Sequence, residues 1–210
     1  MEARPIIRLY RLGFALLVIA AIATVALDLQ ANGRFEPANF FSFFTIQSNL
    51  IAVFVFLVGA AFPGMRSWGW TLVRGQAVLV MTVTLVVFAL LLADTDVDVT
   101  LPWVDTVVHR VMPIAVIADW LIEPPVVAIP FRTSLVWLTY PLLYAAYTLI
   151  RGAIVGWYPY PFLDPGNGGY GSVAIYIIGI LAFGIALCAV ISWVGNLAGA
   201  RRGRVVDPAL

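Results

Sequence analysis

Six long apolar stretches constrain this chain more than any other feature of it. They fall at about 12–29, 40–62, 70–93, 104–122, 133–156 and 171–197. A bilayer core about 30 Å thick needs roughly 20 such residues per helix, so each stretch can cross a membrane. Composition agrees: 62% of the residues are hydrophobic and 11% charged, against roughly 45–50% and 25% in a soluble domain. Short polar or proline-bearing joints separate the stretches, such as Asn32-Gly33-Arg34, Phe62-Pro63-Gly64 and Glu123-Pro124-Pro125. The expected fold is all-α: one polytopic membrane domain of six spans over residues 1–210.

The arginines give the expected orientation. The amino-terminal tail, the second and fourth joints and the carboxy-terminal tail hold Arg4, Arg8, Arg11, Arg66, Arg74, Arg132, Arg201, Arg202 and Arg204. The alternate joints hold Arg34 with Asp94, Asp96 and Asp98. The positive-inside rule then puts both termini in the cytoplasm. Ala21-Ile22-Ala23 resembles a signal-cleavage site, but the apolar run continues to Leu29, longer than the usual signal core, so the segment reads as a retained helix. All 12 basic residues are arginine, which with abundant Ala, Val and Gly points to a GC-rich bacterial genome and a place in the plasma membrane.

Other counts remove function classes. The single cysteine, Cys188, excludes an internal disulfide and a thiolate metal cage. With one histidine, His109, a zinc or non-haem iron site would rest almost wholly on carboxylates. A net charge of +1 gives no footprint for nucleic acid, and without lysine there is no GxxxxGK[ST] phosphate loop. No cofactor, metal or nucleic-acid partner is expected.

Ionisable residues inside a membrane are costly and therefore functional candidates. Here they are Asp28, Asp105, His109, Arg110, Asp119 and Arg151, joined by Thr45, Gln47, Ser48 and Asn49 in the second stretch. Depth decides which can meet. At 1.5 Å per residue, Thr45 and His109 each lie about 9 Å below the outer surface and Arg151 about 8 Å. Asp105 is one turn above His109, and Asp28 is near the outer end of the first stretch. Asp119 falls near the cytoplasmic side. Asp105 and His109, spaced i,i+4, share a helix face, as do Thr45, Ser48 and Asn49. Pro113 cannot bond the carbonyl of residue 109, so a bend and a polar cavity are expected there. Arg110 points about 100° away from His109, toward another acid or the interface. For Arg151 an acid partner is expected, Asp28 ahead of Asp105, with a substrate carboxylate as the remaining option.

These residues have plainer readings too. Threonine and serine in membrane helices commonly hydrogen-bond the backbone, Arg151 suits a structural ion pair, and Cys188 reads as a small hydrophobe.

The loop Trp157-Tyr158-Pro159-Tyr160-Pro161-Phe162-Leu163-Asp164, together with Phe43-Phe44-Thr45 and His109, resembles the androgen-induced and androgen-dependent (AIG/ADTRP-like) family of membrane threonine hydrolases, in particular its six-span bacterial branch. The resemblance implies hydrolysis of fatty-acid esters of hydroxy fatty acids by an intramembrane threonine and a histidine. Thr45 matches the threonine, His109 the histidine and Asp119 the acid ten residues beyond it. Neutral imidazole can take the threonine proton near pH 7, Asp105 is placed to orient the ring, and Asn49 or Arg151 is a candidate donor to the oxyanion. Ser48, Trp103, Trp157 and Tyr160 are candidate substrate contacts. The alternative is a transporter or channel whose buried Asp, His and Arg form an ion path. A path needs polar groups through both leaflets, whereas all these candidates except Asp119 cluster in the outer half.

Overall fold

The computed structural model describes residues 3–92 and 101–201. Asp94, Asp96, Asp98, Arg202 and Arg204, which entered the charge asymmetry, lie outside the described residues, as does Ala93 at the end of the third apolar stretch. Among the described residues there is no strand, and 84% of them are helical.

Six helical segments form the bundle. They are α1 (Ala3–Ala31), α2 (Phe44–Ala61), α3 (Trp68–Leu92), α4 (102–122), α5 (Phe131–Val155) and α6 (Gly169–Arg201). Five of these, all but α4, are long and apolar enough to cross a membrane. Among the described residues, α4 departs from the other five because Asp105, Arg110 and Asp119 interrupt its apolar run.

Burial separates centre from periphery. In the most apolar part of α2 and of α3, 56% of residues are buried, against 28% in α1 and α5 and 17% in α6. The outer faces carry exposed Leu9, Leu90, Ile154 and Ile175. A surface of that kind matches hydrocarbon, where every backbone polar group must be satisfied within the protein, as a helix does.

Successive helices alternate in direction, so the start of α1 lies with the end of α2, the start of α3 and the end of α4. Four charges knit that end. Arg11 donates to Asp119 at 2.7 Å, to Glu123 at 2.9 Å and to the Gly59 carbonyl at 3.2 Å. Arg74 reaches the second oxygen of Asp119 at 2.8 Å. Nearby, Tyr10 donates to the Ala115 carbonyl at 2.8 Å.

At the opposite end the entry to α2 is clasped by tyrosines of α5. Tyr140, Tyr144 and Tyr147 follow helical spacing along one face. Tyr140 donates to Gln47 at 2.6 Å, Tyr144 to the Ser42 carbonyl at 2.9 Å, and Tyr147 shares a hydrogen bond with the Ser42 hydroxyl at 2.9 Å. Gly156 ends α5 with a φ of +70°, which suits glycine. Gly152 lies so close under the Tyr158 ring that a Cβ there would enter it. The two glycines fold the loop at 157–160 back over α2, and Tyr160 arrives above Thr45.

Candidate active site

Thr45 lies in the first turn of α2. A helix N-terminus has backbone N–H groups without intrahelical partners and a partial positive charge. The Thr45 N–H donates instead to the Tyr160 hydroxyl at 3.2 Å. The Thr45 side chain is buried, with Oγ1 3.1 Å from His109 Nε2 and 3.4 Å from the Tyr160 hydroxyl.

Behind Thr45 the histidine is fixed on three sides. His109 Nδ1 is 2.8 Å from Asp105 Oδ1 and 3.2 Å from the Asp105 carbonyl. A nitrogen facing two acceptors is the protonated one, which leaves Nε2 to accept from the Thr45 hydroxyl. The ring of Phe88 stacks on the imidazole at 3.9 Å and 12°. Together these contacts form a chain from carboxylate to imidazole to hydroxyl, the geometry in which a third group orients a base toward a nucleophile.

Two π-helical turns, Phe88–Leu92 in α3 and Val107–Val111 in α4, carry Phe88 and His109. The second precedes Pro113, where the sequence predicts a bend. The wider turn also corrects the expectation for Arg110. Its guanidinium does not seek a separate acid but donates to Asp105 Oδ2 at 3.2 Å, at a spacing of i,i+5, and lies 5.1 Å from the Phe88 ring centre. Asp105 is thus divided between His109 and Arg110.

Asn49 and Ser48 are structural rather than substrate-facing. Asn49 spends both amide hydrogens on the carbonyls of Thr45, at 2.8 Å, and Val108, at 3.0 Å, and so ties α2 to α4. Its Nδ2 therefore has no hydrogen left for an oxyanion. The Ser48 hydroxyl bonds the Thr45 carbonyl at 3.1 Å and Thr84 at 2.9 Å. Both residues are fully buried. Packing against a facing helix accounts for the difference, since Thr45, Ser48 and Asn49 share a face but only Thr45 stands at its open end.

Among the described residues Arg151 does not have the acid partner expected of it. It donates to the neutral amide oxygen of Asn39 at 2.6 Å, and its guanidinium lies 5.3 Å from the Trp157 ring centre. Asp28 receives the Asn32 amide at 3.4 Å. Asp119 belongs to the ion cluster at the far end of α4, so the acid ten residues past His109 does not meet Thr45. Trp103 is 44% exposed and lines neither cavity beside Thr45. Asp164, the acid closing the Tyr-Pro-Phe-Leu motif, accepts from the Gly166 N–H at 2.8 Å and caps its own turn.

Two cavities have Thr45 in their walls. A wide one of about 800 Å³ is lined by His109, Arg34, Glu36, Asn39, Arg151 and Trp157 among others. A narrow one of about 90 Å³ runs among apolar residues of α3, α5 and α6. Thr45 and Tyr160 line both. Burial raises the Tyr160 phenol above its ordinary pKa, which keeps its proton in place as a donor. Neither the partnership of Tyr160 with the Thr45 amide nor the stacking of Phe88 is visible in the sequence. The only signals were the motif containing Tyr160 and the proline after the π turn.

Among the described residues no group of three or more His, Cys, Asp or Glu side chains is arranged to hold a metal. Compared with protein-family models, curated proteins and solved structures, the chain matches none.

Proposed function

We propose that this protein is an intramembrane ester hydrolase in which Thr45 is the nucleophile and His109 the base. One observation carries the reading: Asp105, His109 and Thr45 form a continuous relay, 2.8 Å and then 3.1 Å long, whose reactive end opens into an 800 Å³ cavity. A buried hydroxyl serving only as helix glue needs neither a histidine fixed on its far side nor open volume.

In the proposed reaction Thr45 Oγ1 adds to the ester carbonyl carbon while its proton passes to His109 Nε2. The Tyr160 hydroxyl, 3.4 Å from Oγ1, and the positive end of α2 stabilise the oxyanion. Collapse breaks the bond to the alcohol oxygen, which takes the proton from His109. Water then gives a proton to His109 and adds to the acyl carbon. The Thr45 ester bond breaks, and that proton returns to Thr45. Asp105 is a positioning residue throughout.

A lipid-like ester is the substrate class that fits, and fatty-acid esters of hydroxy fatty acids are the specific proposal. Their free carboxylate would be accommodated by Arg151, whose partners are a neutral amide and an aromatic face. The proposed setting is a six-span arrangement with both termini cytoplasmic in a bacterial plasma membrane, which turns the Thr45 end outward. The transporter reading is disfavoured by the layer between the two polar ends, where Ala52, Phe56, Met81 and Met112 are fully buried.

The test is to label purified protein with a lipophilic fluorophosphonate and map the adduct. Labelling at Thr45, absent in folded Thr45→Ala, is the expected result. An adduct elsewhere, or equal labelling of the variant, would overturn the assignment.

A further inference from the structure

The two cavities beside Thr45 differ in chemistry, and the difference assigns the two halves of a substrate. The reading of Thr45 and His109 as nucleophile and base is the premise. Ester hydrolysis through an acyl intermediate makes different demands on its two sides. The alcohol departs and water takes its place, and the same base serves both events. The acyl group stays bound to the nucleophile. The base must therefore face the side where alcohol and water exchange, and the acyl chain must lie on the other.

His109 lines only the wide cavity. That cavity also carries Arg34, Glu36, Asn39 and Arg151, so it suits water and a polar leaving group. The narrow cavity has no charged residue in its lining, and its only polar side chains are Thr45, Thr84, Tyr144 and Tyr160. The Thr84 hydroxyl is bonded to Val80 and Ser48, and Tyr144 to Ser42. The slot therefore offers a hydrocarbon chain little that needs water.

At its far edge the slot opens between α5 and α6. Leu142 there is 45% exposed, and Ile177, Ile180 and Leu181 are partly exposed on the facing helix. On an apolar outer surface such a gap leads into the bilayer and not into water. A slot of about 90 Å³ is too small to enclose a long chain, so the chain's far end extends outward between the helices.

We infer that the narrow slot from Thr45 to the gap between α5 and α6 is an acyl-chain site, entered sideways from the lipid, while the wide cavity holds the alcohol half and the hydrolytic water. Ala145, on the slot wall, becomes the residue that sets acyl length, and Val155, in the wide cavity, one that sets alcohol size.

The experiment compares p-nitrophenyl acetate with p-nitrophenyl palmitate on the purified full chain in detergent. Ala145→Trp should lower the palmitate-to-acetate ratio of kcat/KM by about tenfold or more, and Val155→Trp should leave that ratio as it is. An unchanged ratio in folded Ala145→Trp, or the larger shift in Val155→Trp, overturns the assignment while leaving the hydrolase reading intact.

A second measurement avoids dependence on the variants folding. An alkyl fluorophosphonate with a diazirine near the tail end is allowed to label the wild-type protein and is then photolysed. Crosslinks from the Thr45 adduct to Leu142, Ile177 or Leu181 support the acyl site, whereas crosslinks to Ile22, Val25 or Val155 overturn it. No adduct at Thr45 removes the hydrolase reading and the acyl site together.

Discussion

The molecule buries two polar clusters, one at each end of the bundle, and they are built on opposite plans. At one end Arg11, Arg74, Asp119 and Glu123 balance their charges, and each of the three ion pairs is 2.9 Å or shorter. The cavity beside them is only about 20 Å³. At the other end Asp105, His109, Thr45 and Tyr160 form a relay that terminates on a hydroxyl facing about 800 Å³ of open volume. A cluster that satisfies itself and excludes everything else holds helices together, whereas one that ends at a cavity has a group left for something that arrives. The contrast is sharpened by α4, which contributes His109 to one cluster and Asp119 to the other.

The largest expected effect separates the two ends by activity. Thr45→Ala should lower ester hydrolysis by roughly three orders of magnitude or more, with little change in thermal stability in detergent, because the removed hydroxyl bonds only groups of the site. A variant that retains wild-type turnover would falsify the role of Thr45.

Asp119→Ala should do the reverse. It leaves the buried Arg11 and the partly buried Arg74 without their shared acid, and removing one partner of a buried pair typically costs about 3–5 kcal/mol. Thermal or denaturant unfolding should register that loss, while the turnover of the remaining folded fraction stays near wild type. If Asp119→Ala unfolds like wild type, or if its folded fraction is inactive, the two ends are not the independent units described.

Within the relay, Tyr160→Phe keeps the ring and removes the donor. Loss of one oxyanion donor typically costs about 10²–10³ in kcat, and the expected change lies in kcat more than in KM. Because burial raises the Tyr160 phenol above its usual value of 10.0, deprotonation of Tyr160 should not lower activity below about that pH. An alkaline decline at lower pH that disappears in Tyr160→Phe would show the phenol titrating normally and exclude it as a fixed donor.

The comparison also marks how far sequence reasoning reaches. The five segments of greatest apolarity, and the meeting of Thr45 with His109, follow from span lengths and a fixed rise per residue. Asp105 follows from i,i+4 spacing, and Asp119 from its depth. The depth count fails where partners are chosen sideways. Arg151 stands at the expected level but takes Asn39 and Trp157, because residues on the joint before α2 and the loop after α5 reach it first. Asn49 and Ser48 lie on the expected face, yet the packing of α4 and α3 against that face consumes their hydrogen bonds. The π turns are the deepest omission. No residue pattern short of Pro113 announces one, and a single extra residue per turn redirects Arg110.

That redirection underlies the smallest predicted effect. Arg110 donates to Asp105 Oδ2 at 3.2 Å while His109 Nδ1 faces Oδ1 at 2.8 Å, so the carboxylate is held by both of its oxygens. The Arg110 side chain is 49% exposed and does not line the wide cavity, so it stands apart from Thr45 and the open volume beside it. Its value lies in fixing the plane of the carboxylate and in covering Phe88, which in turn covers the imidazole. Because Arg110 acts only through Asp105 and Phe88, Arg110→Gln should cost only a few-fold in kcat, equivalent to about 1 kcal/mol, with no change in the Thr45 adduct. Phe88→Leu tests the second half of the argument. If Arg110 acts partly through Phe88, the double variant should lose less than the sum of the two single losses. Additive losses would confine Arg110 to Asp105, and a loss of a hundredfold or more in Arg110→Gln would place it on the substrate itself.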